Sequence, residues 1–290
     1  MIGMDSNHPY CLITGASRGL GSALAKSFWA NGWSLILVGR SQADLQGVVE
    51  AMGERPGQKA HVFEQDLSAP DAAVNIVGAA KQVTPTLDAL INNAAIQGAV
   101  GSLWINDWSE WEATIRVDLL APVALCKEVI PWMMETGKGS VINLSGGGAT
   151  GPRPHFTAYA TAKAGLVRFS ETVAEELKPH NVRVNCVAPG AMGTAMLKEV
   201  LAKGEQVVGQ REYAIALAAL SEGGADMRNV ADLCLFLASD RSAGITGKLI
   251  SAVWDDWECW PKHIDQLATS DVYTLRRIAG RDRGLVWGDK

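Results

Sequence analysis

The chain lacks the features that would mark a disulfide scaffold or a membrane span. Its five cysteines (Cys11, Cys126, Cys186, Cys234, Cys259) are odd in number and scattered, and none forms a C-x-x-C pair. They read as reduced, mostly buried thiols of a cytoplasmic protein, with no metal site expected. No charged stretch followed by an apolar run opens the sequence, so no signal peptide is expected. No apolar run is long enough to cross a bilayer. Basic charge is also short: 26 Lys and Arg stand against 31 Asp and Glu, a net charge of -5. That balance gives no general attraction to nucleic acid or to an anionic membrane, and neither is expected as a partner. There is no internal repeat and no low-complexity linker.

What is present suits one large α/β domain. Apolar residues make up 48% of 290. Short apolar runs alternate with amphipathic stretches, which predicts a doubly wound parallel sheet with helices on both faces. Strands are expected at about 10–14, 33–38, 60–65, 87–91, 140–144, 182–187 and 249–253. Helices are expected at about 22–31, 43–52, 70–83, 107–134, from before Tyr159 to 178, and at 194–201, 205–220 and 230–238. Pro122 and Pro131 should break or kink the long fourth helix. The domain is expected over 1–260, followed by a C-terminal extension over 261–290 that carries Arg276, Arg277, Arg281 and Arg283. That extension either clasps a neighbouring subunit or the acidic body, or is a solvated end.

The first strand ends in Thr14, Gly15, Ala16, Ser17, Arg18, Gly19, Leu20, Gly21. A glycine-rich turn between strand and helix presents backbone N–H groups to a pyrophosphate and lets it approach closely. The second strand ends without an acid to bind a ribose 2′-hydroxyl. Arg40 stands just beyond it and Arg18 lies in the glycine turn, a pair that suits a 2′-phosphate and so favours NADP(H) over NAD(H). Asp66, followed by Leu67, is placed to accept from an adenine amino group or to cap the next helix. Asn92, Asn93, Ala94 and Ala95 close the fourth strand, where small residues allow a backbone to pass close to a cofactor.

Tyr159 and Lys163 lie four residues apart, on one face of a helix. A lysine charge beside a phenol favours the phenolate and should draw its pKa down from about 10 towards the working range. Asp118 sits between apolar neighbours on the long helix and should be paired or protonated if it faces the core. Trp104, Trp108 and Trp111 are spaced for one helix face, core or pocket. Arg153 and His155 either reach a polar group of a substrate or lie in a solvated loop.

Taken together, residues 10–253 resemble the short-chain dehydrogenase/reductase family in its compact single-domain branch. Gly15, Gly19 and Gly21 resemble its cofactor glycine motif, and Asp66 its adenine contact. Asn92, Asn93 and Ala94 resemble its N-N-A-G segment, with Ala95 in place of the last glycine. Tyr159 and Lys163 resemble its Y-x-x-x-K pair. Pro189, Gly190 and Thr194 resemble its P-G motif and the threonine that meets the nicotinamide carboxamide. The resemblance implies a seven-stranded Rossmann-type sheet, assembly as a homodimer or homotetramer, and hydride transfer between nicotinamide and a ketone or secondary alcohol. Tyr159 would then be the general acid/base, Lys163 its helper and ribose contact, and Ser145 the group that steadies the substrate oxygen. Three positions depart from the pattern. Asp118 stands where the family's asparagine holds a relay water. Gly146 stands where its serine is expected, thirteen residues before Tyr159, so Ser145 is assigned to the role. The last strand runs into Trp254, Asp255, Asp256 and Trp257. An alternative is a catalytically weak nucleotide-binding sensor or scaffold of the same fold, and an epimerase or dehydratase is a third reading.

Overall fold

The computed structural model describes residues 8–287; the expectations that fall on 1–7 and 288–290 lie outside the described residues. Seven strands form one parallel sheet: β1 (Tyr10–Thr14), β2 (Ser34–Gly39), β3 (Ala60–Glu64), β4 (Ala89–Asn92), β5 (Gly139–Leu144), β6 (Val182–Ala188) and β7 (Leu249–Ser251). The order across the sheet is β3-β2-β1-β4-β5-β6-β7. The helices, in chain order, are α1 (Gly19–Ala30), α2 (Gln42–Met52), α3 (Ala72–Val83), α4 (Trp108–Ile115), α5 (Ala121–Thr136), α6 (Thr157–Glu176), α7 (Ala195–Lys203), α8 (Glu205–Val208), α9 (Gln210–Ser221), α10 (Met227–Ala238) and α11 (Ile264–Thr269).

The inner strands are buried on both sides, as their continuous apolar runs require, while the edge strands β3 and β7 are only partly covered. Their side chains alternate between two cores with the period of two that a strand imposes. Cys11, Ile13, Leu35, Leu37 and Ile142 face a layer built on Leu24 and Phe28 of α1 and Val230, Cys234 and Leu237 of α10. Leu12, Ile36, Val38, Leu90 and Val141 face the other layer, with Ile76 of α3, Leu125 and Val129 of α5 and Ala174 of α6.

Four elements differ from the sequence expectation. Helix α1 begins at Gly19 rather than Ser22, so the last glycines of the turn belong to its first turn. The long helix is divided by a π-helical turn, Arg116–Leu120, while Pro122 sits at the start of α5 and Pro131 within it. The helix expected over 205–220 breaks at Gly209 (φ +83°), which separates α8 from α9. Strand β7 stops at Ser251, whose N–H is taken by Asp255 Oδ2 at 2.7 Å.

The segment after Pro261 packs on its own chain. Leu267 joins the first core with Trp260, and Tyr273 stacks on Trp260 at 4.3 Å. The Leu249 N–H donates to Tyr273 O (2.8 Å), and Lys248 Nζ donates to Ser270 O (3.1 Å) and Val272 O (3.0 Å). These bonds cover the outer edge of β7, where unpaired backbone groups would otherwise be open to another chain.

Candidate active site

From β1 the chain runs outward through β2 and β3, then returns to β4 on the other side of β1. At such a reversal the loops leave in opposite directions and a crevice opens over the strand ends. A cleft of about 420 Å³ lies there, lined from the glycine turn to Tyr159 and on to α7.

The glycine turn is held close to β4. Gly15 has φ +64°, and a β-carbon on it would lie 2.8 Å from Ala94 Cα. A β-carbon on Gly21 would run into the Gly15 carbonyl and lie 2.7 Å from Asn93 Nδ2. Asn93 Nδ2 donates to Thr14 O (2.9 Å) and Gly15 O (3.2 Å), and Thr14 Oγ1 accepts from the N–H groups of Asn93 and Ala94, both at 3.1 Å. Asn93 thus fastens the end of β1 to the end of β4. Arg18, at the N-cap of α1, makes no capping hydrogen bond, so first-turn N–H groups remain for an anion. Ser17, Gly19 and Leu20 line the same wall. A turn that only glycine can build, at an uncapped helix start, fits the pyrophosphate of a dinucleotide.

The end of the cleft beside β2 and β3 is basic. Arg18 and Arg40 are exposed on the rim of the cleft. Gly39 ends β2 without a carboxylate, and Glu64, opposite it on β3, directs its own to the Gln42 N–H at 3.0 Å. Asp66 and Leu67 line this end. The Asp66 carboxylate is held below its usual range by the backbone N–H of Ser68 (2.8 Å), then by the Ser68 hydroxyl, with Arg40 adding to the effect. Asp66 closes its own turn; α3 has Asp71 at its N-cap.

At the other end, α6 carries Tyr159 and Lys163 into the wall, both buried. Lys163 Nζ donates to Leu144 O (3.1 Å) and stands 3.6 Å from Asp118 Oδ2. The π-helical turn fits one extra residue into the helix, and Asp118 within it is fully buried beneath Lys163. Its Oδ1 accepts from the Ile96 N–H at 2.9 Å. Burial pushes the Asp118 carboxyl up, against the pull of Lys163 and the Ile96 N–H. Asp118 does not line the cleft; its neighbour Val117 does.

Tyr159 corrects the expectation of a lowered phenol pKa. Lys163 does pull it down, but burial outweighs that pull, and Asp118 adds to the rise. Gly190 lies outside the cleft wall, with φ +81°, packed where a β-carbon would meet Val253 Cγ2 at 2.8 Å, whereas Pro189 and Thr194 do line the cleft.

The loop between β5 and α6 explains the glycine in place of the serine. A β-carbon on Gly146 would collide with the Tyr159 hydroxyl. Ser145 lines the cleft, and its Oγ is buried with no hydrogen-bond partner among the described residues. Arg153 does not line the cleft. Its guanidinium lies 3.9 Å over the Phe156 ring, and its Nε donates to Glu212 Oε2 of α9 at 2.8 Å. His155, at φ +69°, packs against Gly209. Both tie the loop to the α8–α9 segment, which packs against α7. The tryptophans near α4 are neither core nor pocket: Trp104 is 86% exposed, and Trp108 is exposed and stacks on Trp111 at 5.1 Å.

Sequence reasoning passed over Gln97, Met192, Met196 and Glu199, which also line the cleft. Gln97 carried one signal, its place just beyond the end of the β4 motif. The residues on α7 and before it carried none, because only the overhang of that helix brings them in.

A parallel sheet with this strand order, a glycine-built anion cradle and a buried Tyr–Lys pair in one cleft define a nucleotide-dependent oxidoreductase of Rossmann type. The family model for short chain dehydrogenase matches residues 10–205, and the chain belongs to that family. It is 32% identical over 240 residues to the 3-oxoacyl-[acyl-carrier-protein] reductase FabG of Thermotoga maritima, covering 83% of this chain and 94% of the relative. Among solved structures it resembles an NAD+-bound xylitol dehydrogenase (TM-score 0.76, 25% identity, 84% of this chain and 97% of the other). It also resembles YwfH, an NADPH-dependent reductase involved in bacilysin biosynthesis (TM-score 0.76, 26% identity, 85% and 97%). The protein is an NAD(P)-dependent oxidoreductase of this family, acting on small molecules. Among the described residues no helix is long and apolar enough to cross a membrane.

Proposed function

We propose that the protein interconverts a ketone and a secondary alcohol with NADP(H), using Tyr159 as the general acid/base. The observation that carries this reading is the Tyr159–Lys163 pair buried in the wall of the cleft that also holds the glycine cradle and the two rim arginines. NADP(H), when bound, supplies or accepts the hydride at the carbonyl carbon. The residues Gly15, Gly19 and Gly21, with Ser17 and Leu20, would receive the pyrophosphate; Arg18 and Arg40 would receive the 2′-phosphate; Asp66 and Leu67 would meet the adenine. Asn93, Ala94, Pro189, Gly190 and Thr194 would border the nicotinamide side, Gly190 by shaping the loop.

In the reducing direction Tyr159 gives its proton to the carbonyl oxygen, and a phenol raised by burial is protonated and ready to do so at neutral pH. The nearby Lys163 charge stabilises the phenolate that this leaves, and Asp118 holds Lys163 in place from below. Ser145 donates to the substrate oxygen as charge develops on it. In the oxidising direction Tyr159 must first lose its proton, so alcohol oxidation rises with pH.

Tyr159→Phe tests the assignment. Turnover of a carbonyl panel should fall by about a thousandfold, while NADPH affinity, read by fluorescence titration, stays within about twofold. Full activity in that variant would refute it. A homodimer or homotetramer in the cytoplasm completes the reading. Sedimentation velocity tests the assembly; the buried thiols of Cys11, Cys126, Cys186 and Cys234 support a reducing compartment.

A further inference from the structure

The cleft contains a second side chain whose hydrogen-bonding atom is buried and unused. Gln97 is 6% exposed and lines the wall shared with Tyr159, Lys163 and Ser145, yet its Nε2 has no partner among the described residues. A buried amide without a partner is costly, and such groups in native structures point to an occupant of the site.

The backbone around Gln97 is clamped on both sides. The N–H of Ile96, the residue before it, donates to Asp118 Oδ1 at 2.9 Å. Gly98, the residue after it, takes φ +63° and packs so tightly on Thr114 that a β-carbon would collide with Thr114 Oγ1. The π-helical turn and α4 therefore fix both ends of the residue, and its side chain is presented from a rigid base. This is the support that a recognition group needs, because a loosely held donor loses the advantage of its position.

Gly146 has no side chain, and the collision with the Tyr159 hydroxyl shows why none fits there. Ser145 and Gln97 are the two cleft-lining side chains with a buried, unpartnered polar atom among the described residues. One reacting carbonyl oxygen, already served by Tyr159 and Ser145, does not need a third donor.

We propose that Gln97 donates a hydrogen bond to a second oxygen of the substrate, adjacent to the reacting carbonyl. The preferred substrates are then vicinal dicarbonyl and α-hydroxycarbonyl compounds rather than simple ketones. The inference rests on the ketone–alcohol reading of this site. A site built to hydrogen-bond a particular oxygen rejects analogues that lack it, because its own group is left unpaired.

The test compares diacetyl with butanone, which have the same carbon skeleton and differ by one oxygen. Calorimetric titration of each into the protein saturated with NADP+ measures binding without turnover, so it reads this proposal apart from the catalytic assignment. The wild-type protein should bind diacetyl at least about tenfold more tightly than butanone. Gln97→Met keeps the volume and removes the donor; it should abolish that preference by weakening diacetyl and leaving butanone within about twofold. Gln97→Glu, which replaces the amide donor by an acceptor, should do the same. NADPH affinity in both variants should match the wild type. The proposal is overturned if wild type binds the two ketones equally or binds neither, if both variants keep the preference, or if they lose NADPH affinity instead, which would assign Gln97 to the cofactor. Loss of turnover in Tyr159→Phe with the diacetyl preference intact would support both readings separately.

Discussion

On the β1–β4 side of the cleft the important groups belong to the backbone. On the β5–β6 side they are side chains. The first wall is a glycine turn stapled by Asn93 to the end of β1, with an uncapped helix start behind it. The second wall depends on a π-helical turn that buries Asp118, a glycine that makes room for the Tyr159 hydroxyl, and an Arg153–Glu212 bond from the β5–α6 loop to α9, which packs against α7. A backbone cradle accepts one class of ligand and tolerates almost no change. A wall of side chains can be retuned residue by residue, and Asp118 and Gly146 are the two of its positions that depart from the pattern the chain otherwise resembles.

Substitutions can break that contrast, beginning with the backbone wall. Gly21→Ala forces a methyl into the Gly15 carbonyl. It should weaken NADPH binding by about a hundredfold and lower stability by about 1–3 kcal/mol, read by fluorescence titration and thermal unfolding. A variant that bound NADPH normally would mean that the turn has slack. Arg40→Ala acts on an exposed charge and should do less: about a tenfold loss of NADPH affinity, or about 1.4 kcal/mol, with NADH nearly unchanged and the difference fading at high salt. Equal losses for both cofactors would remove the 2′-phosphate role.

The side-chain wall should respond in pH dependence and in substrate binding. Asp118 contributes to the rise in the Tyr159 pKa, so Asp118→Asn removes a negative charge near the phenol and lowers that pKa. The rising limb of the alcohol-oxidation profile, where Tyr159 loses its proton, should move to lower pH; a shift to higher pH would contradict the arrangement. The smallest effect is expected at the bond between the β5–α6 loop and α9. Arg153→Met or Glu212→Gln should raise KM about two- to threefold with kcat little changed. The double variant should lose less than the sum, with a coupling of about 0.5–1 kcal/mol. Strict additivity would mean that the pair does not tie the loop to α9.

The parts of this design that could be read in the sequence share one property: they depend on neighbours along the chain. The glycine turn, the strand runs and the Tyr159–Lys163 spacing are local, so periodicity and residue type display them. Where helix ends were misjudged, a local signal competed with a tertiary one. The long helix carried two prolines that drew attention as breaks, yet its irregularity falls at Arg116–Leu120, where Asp118 is drawn under Lys163. The tryptophans at 104, 108 and 111 have helical spacing, but Trp104 lies in a separate turn before α4, Trp104 and Trp108 are exposed, and Trp111 is half-buried with its Nε1 donating to Thr157 Oγ1. Spacing assigns residues to a face and does not say what covers it.

The pKa of Tyr159 shows the same division. Lysine four residues away predicts a lowered phenol pKa; burial by the whole fold reverses the sign. Gly190 belongs to a family motif by its place in the chain, but its left-handed backbone and its packing on Val253 give it a structural part to play. The sequence alone determined the alternation of strand and helix, the glycine turn and the Tyr159–Lys163 spacing, because each is encoded by a short run with its own hydrogen-bond or charge logic. The tertiary structure decided which polar atoms end up buried without partners, which way Tyr159 is tuned, and which distant residues, Gln97 and Glu199 among them, line the cleft. Desolvation and long-range contacts arise only when separate stretches of chain are packed together, and no window along the sequence contains them.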